Sequence, residues 1–219
     1  MHGLKLSATV SFLISFVILA SATVSQISYY GASSNLDASG VAKVELVLTF
    51  EKPETNFTFD VRGSVKNFKA ITFDQQPVDC NVASRGITTV ICNLNLNEEK
   101  KTIQINYETS DFVNQLGNRY FFDADFTLNQ NISRTTVSVR LPEATALVSE
   151  GGKPGRLSFP ENATTSSDGR SIIVTWNLAD IKSDQRLEFE IFYESLTTPF
   201  WAELRIRYII IFAVVAGSV

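Results

Sequence analysis

The sequence predicts an all-β chain, and three observations carry that expectation. Stretches of strict two-residue alternation recur about every ten residues, the spacing of short strands packed in layers. Sixteen Phe and six Tyr stand against one Met in 219 residues, a balance that suits pleated surfaces better than helices. Finally, one plan occurs twice. Ile87–Glu108 and Ser166–Glu194 each read as a strand, a polar reversal and a second alternating strand. Asn93-Leu94 answers Asn177-Leu178, and Tyr107-Glu108 answers Tyr193-Glu194. Together they predict two tandem immunoglobulin-like antiparallel β-sandwich modules, residues 26–110 and 118–195, each closed by such a hairpin.

The elements follow in order. Met1–Ala22 has the layout of an export signal peptide: Lys5 near the amino terminus, a mostly apolar Leu6–Ala20, and the small-residue site Ala20-Ser21-Ala22. An uncleaved anchor is the alternative, but Ser7, Thr9, Ser11 and Ser15 suit a permanent span poorly. Ile27–Tyr30 reads as a first strand. Leu36–Gly40 is a turn, and in Val41–Phe50 the residues Val44, Leu46, Leu48 and Phe50 share an inward face. Pro53 stops that strand. Phe57, Phe59 and Val61 alternate with polar residues, and Phe68–Phe73 is a further strand.

Cys80 and Cys92 are the only cysteines. They sit symmetrically about Gly86, in a predicted hairpin of Val78–Ala83 and Ile87–Leu94, which places them opposite each other. An even count behind an export signal predicts a disulfide. The polar stretch Ser110–Asn118 reads as the module boundary. The second module opens with Phe122, Ala124, Phe126 and Leu128 on one face, continues through Val137, Val139 and Leu141, and stops at Pro142. Glu150–Arg156 is a Gly- and Pro-rich loop. Then Ile172, Val174 and Trp176 alternate with Ser171, Ile173 and Thr175, Ala179–Gln185 reverses the chain, and Leu187, Phe189, Ile191 and Tyr193 share a face.

Three sequons, at Asn56, Asn131 and Asn162, agree with an exported glycoprotein, Asn162 in its polar loop being the best acceptor. After Ser195–Pro199 the character changes. Phe200 and Trp201 suit a membrane interface, Arg205 and Arg207 follow, and the run from Tyr208 to Val219 is uncharged. A helix of that run reaches about 18 Å, against roughly 30 Å of hydrocarbon. Residues 200–219 therefore read as the start of a transmembrane helix that continues past Val219. The expected address is the cell membrane, single-pass, with Ile27–Thr198 extracytoplasmic.

Catalytic signals are thin. The single histidine, His2, lies in the signal, so the mature chain has no imidazole for a Ser-His relay, a zinc site or a copper site. A net charge of −4 without a basic stripe argues against nucleic acid as a partner of this region. Asp123 and Asp125 share a strand face and are weak calcium candidates, although a solvated outer face explains them as well. Glu188 and Glu190 have the same spacing and the same plain explanation, and Trp176 reads as a core residue. No cofactor is expected.

Several stretches carry a resemblance: Leu36-Asp37-Ala38-Ser39-Gly40-Val41-Ala42-Lys43-Val44, Ile105-Asn106-Tyr107-Glu108, Val139-Arg140-Leu141-Pro142-Glu143-Ala144, the run from Asp168-Gly169-Arg170 to Trp176, and Phe189-Glu190-Ile191-Phe192-Tyr193-Glu194. In pattern, residues 27–219 resemble archaeal membrane-anchored proteins with an exported β-sandwich region, one transmembrane helix and often a cytoplasmic winged helix-turn-helix domain. That last domain is absent from this sequence. The resemblance implies an envelope-sensing role with an unknown protein or envelope ligand. A structural cell-envelope or adhesion protein, or an accessory subunit of a membrane complex, is the alternative, and a secreted hydrolase is the contrast case.

Overall fold

A computed structural model describes residues 26–149, 156–183 and 185–196. Most of the residues read as inward are buried, Ile172 on its strand being only partly so. Val44, Leu46, Leu48 and Phe50 lie in the core, as do Phe57, Phe59 and Val61, and Ile103, Ile105 and Tyr107. So do Phe122, Ala124, Phe126 and Leu128, and Leu187, Phe189, Ile191 and Tyr193. Each set removes one side of a pleated strand from water, the dominant favourable term in folding.

The strands are β1 (Gln26–Leu36), β2 (Ala42–Phe50), β3 (Asn56–Arg62), β4 (Lys66–Thr72), β5 (Asp79–Arg85), β6 (Ile87–Asn93), β7 (Thr102–Thr109), β8 (Val113–Leu116) and β9 (Arg119–Asp125). They continue as β10 (Asn131–Arg140), β11 (Thr145–Leu147), β12 (Ser158–Phe159), β13 (Thr164–Ser167), β14 (Ile172–Ile181) and β15 (Glu188–Ser195). A seven-stranded sheet runs β13-β14-β10-β1-β2-β7-β4. A three-stranded sheet, β3-β6-β5, belongs to the first half, and a five-stranded sheet to the second, ordered β11-β15-β9-β8 with β12 also on β15. Phe50 of the large sheet meets Phe57 edge-on at 5.6 Å, and Trp176 meets Phe189 at 4.9 Å. The large sheet thus packs against both small ones, and the buried side chains form one core cluster.

All-β architecture is as expected, but its organisation differs from two tandem modules. β1 pairs antiparallel with β2 and parallel with β10, from Gln26↔Asn131 to Asn35↔Arg140. That parallel ladder joins the two halves in one sheet, so the stretch 110–118 does not separate two sets of sheets. This stretch also carries β8 and the fully buried Phe112, whose ring lies edge-on to Phe122 at 6.1 Å and Phe126 at 5.8 Å.

The two expected closing hairpins are corrected as well. β6 pairs with β3 and β5 while β7 pairs with β2 and β4; β14 lies in the large sheet while β15 lies in the five-stranded one. Both repeats are therefore crossings between layers. They run in opposite senses, from small sheet to large in the first and from large to small in the second. The polar reversals are long enough to bridge the roughly 10 Å between packed sheets, and alternation alone does not say which strand lies alongside.

Local boundaries moved for identifiable reasons. β1 extends to Leu36 because β2 and β10 flank it on both sides. β14 continues to Ile181, which is buried, so the chain reverses later than residue 179. Phe73, read as the end of a strand, lies past β4 and is 79% exposed. The turn after β1 forms as expected: the Asp37 carboxylate accepts hydrogen bonds from Ser39 N–H, Ser39 Oγ–H and Val41 N–H at 2.9, 2.6 and 3.0 Å. Gly40 there has φ +84°, a conformation natural to glycine.

Among the described residues no helix is long and apolar enough to cross a membrane. The signal at 1–22, the anchor at 200–219 and the interface residues Phe200, Trp201 and Tyr208 lie outside the described residues.

Candidate functional site

A concavity of about 580 Å³ opens beside the start of β15. Its apolar lining comes from Phe159, Pro160, Leu178, Leu187 and Phe189, with Glu161, Asn162, Arg186 and Glu188 among its polar residues. The strand pairing explains why space is left there. β12 accompanies β15 for two residues only, Ser158↔Ile191 and Phe159↔Glu190. Pro160 has no N–H to continue the ladder, and its carbonyl accepts instead from Trp176 Nε1–H at 2.7 Å. Beyond that point β15 has β9 on one side and the groove on the other. Apolar walls with a few polar groups are the usual make-up of a small-ligand or peptide site.

The carboxylates singled out in the sequence meet across β9 and β15, and one of them, Glu188, lines this groove. Register places Asp123 opposite Glu190 and Asp125 opposite Glu188. Sequence spacing showed each pair separately but not their union across β9 and β15. Like charges directly opposite are unfavourable, and three arginines offset them. Arg62 reaches Asp123 at 2.6 Å, Arg186 reaches Glu188 at 3.1 Å, and Arg156 pairs with Glu190. Arg156 also stands over the Phe159 ring at 4.6 Å, a cation–π contact. Asp125 accepts from Thr127 N–H at 2.9 Å. Among the described residues no three His, Cys, Asp or Glu groups are gathered to hold a metal ion.

Trp176 lies fully buried, as expected of a core residue. Tyr193, stacked on Tyr120 at 5.1 Å, has a buried hydroxyl without a hydrogen-bond partner, and burial pushes its phenol pKa up. Cys80 and Cys92 form the disulfide predicted, joining directly paired residues of β5 and β6, with Gly86 at φ +86° between the strands.

The three sequons differ in their surroundings. Asn162 is exposed and lines the groove; Asn56 is exposed at the start of β3. Asn131 is half-buried, and its Oδ1 accepts from Ser183 N–H at 3.1 Å.

No family model matches the chain, and no curated protein matches it. Among solved structures it is similar to an M1 zinc metallopeptidase from Deinococcus radiodurans, at 10% identity and TM-score 0.46, over 77% of this chain and 42% of that one. It is likewise similar to native leukotriene A4 hydrolase from Saccharomyces cerevisiae, at 10% identity and TM-score 0.46, over 80% of this chain and 30% of that one. The chain thus spans less than half the length of either protein.

Proposed function

We propose that this chain is the exported, membrane-anchored part of a non-catalytic binding or sensing protein. The observation that carries the reading is the Cys80–Cys92 disulfide. It staples a hairpin at the molecular surface, where a reducing cytosol would open it, and such bonds persist in oxidising compartments. The positions of the two ends favour one anchor over two. Gln26 is paired with Asn131 at the start of β10, whereas Leu196 N–H donates to Ala144 O, past that strand's far end. A strand of this length spans about 30 Å. An uncleaved signal and a carboxy-terminal anchor would therefore leave the sandwich from opposite ends. Cleavage after Ala22 leaves residues 200–219 as the single attachment.

With that attachment near Leu196, the groove beside residues 185–189 faces away from the membrane and is the site we assign to ligand. The ion pairs of Asp123, Glu188 and Glu190 support a structural role for those carboxylates. Analysis of the chain from intact cells tests the reading. The mature amino terminus should follow Ala22, unreduced peptides should show Cys80 linked to Cys92, and the protein should resist alkaline carbonate extraction. Free thiols together with a retained Met1–Ala22 would overturn it.

A further inference from the structure

β5 forms one edge of the three-stranded sheet. It has β6 on one side and, among the described residues, no strand on the other. Natural edges are usually blunted by lysine, proline, a bulge or a cover. Asp79–Arg85 contains neither lysine nor proline, its seven-residue ladder to β6 is unbroken, and all of it is exposed except half-buried Cys80.

The direction of its backbone groups follows from two observations. The Cα atoms of Cys80 and Cys92 are 4.0 Å apart, the short spacing of a pair whose N–H and C=O groups point away from each other. Independently, Leu94 N–H donates to Thr55 O at 2.7 Å on the β3 side. The two-residue period then turns the groups of Cys92 toward β3, away from β5. Both observations aim the N–H and C=O groups of Cys80, Val82 and Ser84 at the open edge.

We propose that this edge is a homodimer interface, in which a second copy adds its own β5 antiparallel about a two-fold axis at Val82. In that register Val82 meets Val82 of the second copy, Cys80 meets Ser84 of the second copy, and every open-edge N–H and C=O of the three residues gains a partner. Charge selects the same arrangement. Asp79 and Arg85 stand at opposite ends of β5 on one face, and among the described residues neither is in an ion pair. Antiparallel pairing sets Asp79 against Arg85 of the second copy at both ends, whereas parallel pairing would set like against like. A closed two-fold contact of this kind uses the same patch twice, so the β5 edge is filled in both copies at once. The inference stands apart from the membrane reading.

The test is sedimentation of the full-length chain in detergent, comparing wild type, Asp79→Arg, Arg85→Asp and the double variant. Wild type should dimerise. Each single reversal places like charges at both ends and should weaken the dimer about tenfold or more. The double variant recreates both pairs with the signs exchanged and should return to within about threefold of wild type. Hydrogen exchange supplies the second readout: the amides of Cys80, Val82 and Ser84 should be protected in wild type and the double variant, and open in the singles. Linked Cys80 and Cys92 peptides confirm that each variant is folded. A monomeric wild type, a dimer indifferent to both single reversals, or a double variant that stays weak would each overturn the proposal. So would protection of these amides at dilutions where the chain is monomeric, which would mean that something other than a second copy covers the edge.

Discussion

Opening the Cys80–Cys92 bond is the perturbation whose size is best defined by the structure. The cysteines are separated by 12 residues. Loop-closure entropy for a ring of that size is worth about 3 kcal/mol at 25 °C. For a folded body of this length each kcal/mol moves the midpoint by about 2–4 °C, so reduction should lower it by roughly 6–12 °C. Reduction is preferable to substitution at Cys92, which is fully buried, because Ala there would add a cavity cost of its own. The half-buried Cys80 gives the reductant its approach, and Cys80→Ala is the matched genetic control. Thermal unfolding by near-ultraviolet circular dichroism, with the thiol count checked by mass, measures the shift. Among the described residues β5 pairs with β6 alone, so exchange at the β6-facing amides of β5 should quicken most. A shift below about 2 °C after verified reduction would refute the entropic account.

Other predictions test the packing and the charges. Trp176→Phe removes the donor to Pro160 O and part of a fully buried ring; it should cost about 2–4 kcal/mol in denaturant unfolding. Gly63 has φ +96°, and a Cβ there would overlap the Asp111 side chain, whereas Gly86 has φ +86° with nothing nearby. Gly63→Ala should therefore cost clearly more than Gly86→Ala, which carries only the backbone term of about 1–2 kcal/mol. Hydrogen bonds from Ser64 N–H and Oγ–H hold the Asp111 carboxyl below its ordinary 3.8. A depressed folded value means stability that is present above the unfolded value and lost as pH falls through the folded one. The advantage of wild type over Asp111→Asn should be flat above about pH 5 and shrink below about pH 4 in acid titrations of the midpoint. Replacing Asp123 and Asp125 together by Asn should change stability by no more than about 1 kcal/mol, and added calcium should leave the midpoints of wild type and variant alike; a calcium-dependent rise in wild type alone would show a metal site there.

Much of the core was legible because burial on one face of a strand leaves a period of two in the sequence. Phe122, Ala124, Phe126 and Leu128 were assigned an inward face from that period, and all four are buried. The pattern fails where a buried position is polar or small. Ala32 and Ser34 on β1 and Thr135 on β10 are buried in the parallel ladder that unites the halves, yet nothing in their chemistry announces it. The short β12 and β13 give too few residues to show any period. The groove escaped notice for the same reason: it depends on where β12 stops beside β15, a long-range property of pairing.

The same limit explains why the repeated plan misled. Ile103, Ile105 and Tyr107, like Leu187, Phe189, Ile191 and Tyr193, need only an apolar layer opposite them, and either a hairpin or a crossing between sheets supplies one. What decides between the two is the competition for each strand's edges. β7 is held by β2 along eight residue pairs and by β4 on its other side, so no edge remains for β6. β6 in turn is enclosed by β3 and by the disulfide-tied β5. Once these edges are filled, the connection from Leu94 to Lys101 must carry the chain across the core. Among the described residues this accounting leaves the outer edge of β5 unfilled, and the spacing of Asp79 and Arg85 about Val82 on it is complementary to itself.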